Sequence, residues 1–85
     1  MVITVTQKHI DNGRRGLMLS CPIALAIKER TGLSVVIVGR YISVYTNNID
    51  LRQCKTSEKA LGFIYDFDSG INVKPFTFEC ELNLE

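Results

Sequence analysis

The chain of 85 residues has no apolar run near the roughly 18 to 20 residues that a helix needs to cross a bilayer. Its first residues, Met1-Val2-Ile3-Thr4-Val5, lack the basic start, apolar stretch and cleavage site of a secretory leader. Cysteine is sparse and odd in number: Cys21, Cys54 and Cys80. A secreted domain this small usually relies on two or more disulfides, and three cysteines would leave one over. These absences point to reduced thiols, a cytoplasmic protein and no membrane contact.

Chemical signatures are equally scarce. There is no GxxxxGK[ST] and no strand-linked GxGxxG, which argues against an NTPase or a dinucleotide enzyme. His9 is the single histidine, and the cysteines lack the C-x₂₋₄-C spacing of a structural zinc site, so no metal and no cofactor are expected. Net charge is only +1, far from the dense basic stripe of a nucleic-acid binder. That charge is uneven, however: +3 over residues 1–32, +2 over 33–56 and −4 over 57–85. A local anion site in the first half, or pairing between copies, remains open.

The hydrophobic share of 46% and charged share of 22% are those of an ordinary globular domain. One domain spanning 1–85 is expected, with roughly 60 to 65% of the unfolded chain's surface buried. Residues 1–6 alternate as a strand, with Met1, Ile3 and Val5 on one face. Thr6 can cap a single helical turn over 7–11, which Asn12-Gly13 ends as a chain reversal. An irregular segment over 12–20 follows. A helix then starts with Ser20 or Cys21 as cap and Pro22 in its first turn, and Gly32 ends it. Ile23 to Ile27 has no polar member, so this helix must be covered on more than one side.

Residues 33–38 and 41–46 read as two strands joined at Gly39-Arg40, and 49–54 adds a short edge segment. A second helix over 57–68 buries Ala60, Phe63, Ile64 and Phe67, and Gly62 inside it implies close backbone packing. A last strand over 74–82 places Phe76, Phe78, Cys80 and Leu82 inward and an acidic face outward. Asp66, Asp68, Glu79 and Glu81 read as solvated surface. The order predicts a small α+β fold of βαββαβ type, an antiparallel sheet with two helices packed on one face.

Three stretches carry a resemblance: His9-Ile10-x-x-Gly13; Cys21-Pro22-Ile23-Ala24-Leu25-Ala26; and Ala60-x-x-Phe63-Ile64-x-x-Phe67-Asp68-x-Gly70-x-x-Val73-x-Pro75-Phe76-x-Phe78. Together they are similar to a family of short proteins encoded by tailed bacteriophages, one that carries no settled activity. The resemblance implies a setting: small phage proteins of this kind are often stoichiometric binders that disarm a host antiviral system by holding a host protein or a small nucleotide signal.

The residues themselves offer three uses. Arg14, Arg15 and Gly16, with Ser20, Cys21 and the helix start behind them, could cradle the phosphate of a nucleotide-type signal. Tyr41 or Tyr45 could stack its base. Leu17, Met18 and Leu19 form an apolar loop that could instead meet a host protein or a second copy, giving a homo-oligomer. Cys21 as a nucleophile with His9 as base is the third use, set against a plain role as helix cap. The expectation is a binding protein, not an enzyme.

Overall fold

A computed structural model describes residues 1–17, 20–38, 40–45 and 51–81; of Val38, Leu51 and Arg52 only the backbone is described. The elements run β1 (Val2–Val5), α1 (Gln7–Asn12), α2 (Pro22–Thr31), β2 (Ser34–Val38), β3 (Tyr41–Tyr45), β4 (Leu51–Lys55), α3 (Glu58–Asp68) and β5 (Phe76–Glu79). The protein is an α+β fold, but its strands form two antiparallel sheets where one was expected. β1 pairs with β5, and β2, β3 and β4 form a three-stranded meander. The segment expected as a single helical turn is a third helix, α1.

The local reasons are those of capping and alternation. Thr6 caps α1, Cys21 caps α2 through its Sγ, and Ser57 caps α3. Gly32 ends α2 in the left-handed region at φ 73°, where a side chain would be strained. In β1, Ile3 and Val5 are buried while Val2 and Thr4 face out. Phe78 and Cys80 do the same at the other end of the chain, and backbone hydrogen bonds between Met1 and Cys80 extend the β1–β5 pairing. The register sets Val2 opposite Glu79 and Val5 opposite Phe76. Val38 pairs with Tyr41, so the β2–β3 connection has the expected two residues; Gly39 itself lies outside the described residues. The turn expected at Asn47-Asn48 and the inward place of Leu82 also lie outside them.

α2 is the centre of the core. Pro22, Ile23, Ala24, Ala26 and Ile27 are all buried. The helix packs against β1 of one sheet, β2 of the other and α1 besides. That answers why no polar face was written into it. α3 lies over the two-stranded sheet, where Phe63 stacks on Phe76 with ring centres 4.6 Å apart. The sheets also meet at Cys54 of β4 and Cys80, whose Sγ atoms are 3.4 Å apart without a disulfide. Among the described residues no helix is long and apolar enough to cross a membrane.

Candidate functional site

The loop between α1 and α2 is fixed at both ends and in its middle. Gly13 closes α1 by donating its N–H to the Ile10 carbonyl, and it lies so close to Pro22 that an added Cβ would sit 2.7 Å from the ring. Its φ of −72° is open to any residue, so proximity to Pro22, rather than the left-handed geometry expected of Asn-Gly, requires glycine here. The Arg14 N–H donates to the Ser20 carbonyl at 2.8 Å, which closes the loop on itself. Arg15 Nε donates to the Phe67 carbonyl at 3.2 Å, and the Gly16 N–H donates to Asp68 Oδ1 at 3.0 Å. Both bonds land on the C-terminal end of α3, where the helix dipole is negative and a guanidinium is favourable; the Phe67 carbonyl also accepts the Gly70 N–H.

These contacts shape an open groove of about 580 Å³, lined by Ile10, Gly13, Arg14, Arg15, Leu17 and Phe67. Its lining combines two arginines with an isoleucine, a leucine and a phenylalanine. The volume falls within the roughly 300 to 1,000 Å³ of small-molecule sites. Arg15 spends one of its five donors on Phe67, which holds the guanidinium in place. Arg14 is exposed.

No protein-family model, curated protein or solved structure matches this chain. The site therefore has to be read from its own geometry.

That geometry corrects the anion cradle expected at the start of α2. Cys21, Pro22, Ile23 and Ala24 are buried, and Cys21 Sγ accepts the Ala24 N–H at 3.4 Å, so the first turn is neither open nor uncapped. Ser20 and Cys21 do not line the groove; Phe67 and Ile10, which the sequence reading left out of any site, do. Phe67 looked like a pure core residue because its side chain follows the buried stripe of α3. Tyr41 and Tyr45 stand exposed on β3, between β2 and β4, and form no part of the groove wall. Leu17 is 51% exposed and lines the groove, while Met18 and Leu19 lie outside the described residues.

The pairing of Cys21 with His9 is not assembled. Burial pushes the Cys21 thiol above its ordinary value and outweighs the lowering by the Ala24 and Ile23 amides, with Asp68 adding the smallest contribution upward. A raised thiol is a poor nucleophile at neutral pH. His9 faces Glu29, eight positions further along α2 than Cys21, or about 12 Å at 1.5 Å per residue. Its Nδ1 accepts the Thr6 N–H at 2.9 Å, so the proton of the neutral ring sits on Nε2. Nε2 lies 3.3 Å from Glu29 Oε2 but is not angled for a hydrogen bond to any described partner. With Nδ1 occupied and Nε2 protonated, the ring holds the helix cap and has no lone pair to offer a substrate. Among the described residues, no three His, Cys, Asp or Glu side chains come together as a metal site.

Proposed function

We propose that the protein works by binding: it sequesters a phosphorylated, nucleotide-type small molecule in the groove of Arg14 and Arg15. The observation that carries this reading is the lining of the groove, which brings two arginines together with the apolar residues Ile10, Leu17 and Phe67. Guanidinium groups suit phosphate oxygens, and an apolar wall suits a base or sugar face. Arg14 is exposed and Arg15 is held at the Phe67 carbonyl, so Arg14 is the freer of the two to meet a phosphate. The reading as an antagonist of host antiviral defence in the host cytoplasm rests on the resemblance to phage proteins and on small size.

Calorimetry and thermal shift against a panel of linear and cyclic nucleotides test the proposal. The expected outcome is one class of ligand that binds and raises the melting temperature. Arg14→Glu then weakens binding at least about tenfold, a loss of about 1.4 kcal/mol, without changing the stability of the unliganded protein. No effect from any nucleotide at millimolar concentration overturns it. The exposure of Leu17 favours a second reading, in which the same loop meets a host protein. Leu17→Asp would then abolish capture of that protein from infected cells.

A further inference from the structure

Among the described residues, the outer face of α3 is left open. Leu61 and Tyr65 lie there one helical turn apart, Leu61 half-buried and Tyr65 71% exposed; Ile64, expected in the buried stripe, is only half-buried, packing partly on the core and partly lining the same groove. Gly62 beside them is exposed, and a Cβ on it would meet nothing within 4 Å. A glycine inside a helix implies close packing, yet no described residue packs on this one. Glycine in a helix interior costs about 1 kcal/mol relative to alanine, so close approach by something outside the chain would account for it. The groove along this face holds about 690 Å³ and carries opposite charges at its two ends. Arg40 stands near the start of α3, where its carbonyl accepts the Thr56 N–H at 2.7 Å. Asp68 is the last residue of the helix.

We infer that this face pairs with the same face of a second copy, α3 against α3 and antiparallel, about a two-fold axis near Gly62 and Tyr65. The charge layout selects that occupant. An apolar stripe with a cation at one end and a carboxylate at the other is complementary to itself when turned end for end. Arg40 of each copy then meets Asp68 of the other. Gly62 lets the helix axes approach toward the short end of the usual 8 to 10 Å. The two grooves have no lining residue in common, and their one link is Asp68, which also bonds Gly16 of the Arg14 loop.

Light scattering and sedimentation equilibrium on the full chain, from about 1 to 500 μM, read the outcome. A helix pair of this length sits at the small end of stable interfaces, so dimerisation in the micromolar range is expected. Gly62→Lys places two like charges across the axis and yields a monomer whose melting temperature is no lower, because lysine favours helix over glycine. Arg40→Asp and Asp68→Arg each weaken self-association at least about tenfold. An equimolar mixture of the two restores a dimer, because every charged pair is then opposite in sign. Should Asp68→Arg fail to fold, having lost its bond to Gly16, Gly62→Lys and Arg40→Asp decide the matter. A wild-type chain that stays monomeric throughout, or a dimer that survives Gly62→Lys, overturns the inference. A dimer indifferent to Arg40→Asp overturns the antiparallel arrangement.

Discussion

Cys21 combines two roles at one atom: its Sγ caps α2, and its burial keeps it protonated. The folded thiol ionises above the ordinary value of 9.0, so the unfolded chain releases its proton first as pH rises. Stability from this site is fully present below about pH 9 and is lost as pH climbs through the folded value. Two outcomes follow. In the native protein at pH 8, Cys21 reacts with a thiol reagent only at the rate of opening, and it reacts fully in denaturant. Cys21→Ser puts a hydroxyl oxygen at the cap in place of Sγ and removes part of the alkaline loss of melting temperature. Rapid native labelling of Cys21 would refute the buried-cap account. The cap itself was legible in sequence, since a small polarisable residue precedes a first-turn proline. Two other residue roles were not. Arg15 binds a carbonyl 52 positions away, a contact that no local pattern encodes. His9 reaches back to the Thr6 amide as a glutamate or glutamine does in a capping box, but histidine is absent from the usual signature.

Helices and strands were more legible than their partners. The buried stripe Ala60, Phe63, Phe67 and the inward alternation of Phe78 and Cys80 follow directly from periods of 3.6 and 2 residues. The division into two sheets could not be read this way. Alternation says which face of a strand is buried but not which strand lies beside it, and β1 meets β5 across nearly the whole chain. α1 was underestimated because short helices have weak intrinsic stability and depend on tertiary cover, which α2 supplies here. The joint between these helices rests on Gly13 and Pro22, and it gives the clearest substitution at this scale. Gly13→Ala forces a Cβ to 2.7 Å from the Pro22 ring and costs about 1 to 3 kcal/mol as the helices are levered apart. Denaturant unfolding measures it as a lower midpoint at unchanged slope. A neutral Gly13→Ala would show that the ring moves freely and that α1 is not held by this contact.

The whole molecule depends on α2 as the element shared by both sheets. The β1–β5 ladder draws together residues 2–5 and 76–79, while the meander is built from hairpin neighbours. Left alone, the meander would form early and the terminal ladder late, because closing a long loop precedes any gain from its contacts. α2 packs on β1 and on β2, and the buried residues of both sheets belong to one continuous core. Ile27, with no exposed surface, belongs to that core. Ile27→Ala is expected to cost about 2 to 5 kcal/mol as a cavity in a site that cannot collapse toward either sheet alone. The cost should be felt equally on both sides. Native-state hydrogen exchange of the amides of Ile3 and Val5 and of Val35 and Val44 should show one opening free energy, lowered by the same amount in the variant. If the β1–β5 amides lose protection while the meander keeps its own, the sheets are separate cooperative units and α2 belongs to one of them. If both fall together, the helix that carries the loop of Arg14 and Arg15 is also the joint of the fold. The groove between that loop and α3 then inherits its rigidity from the entire core and not from the loop.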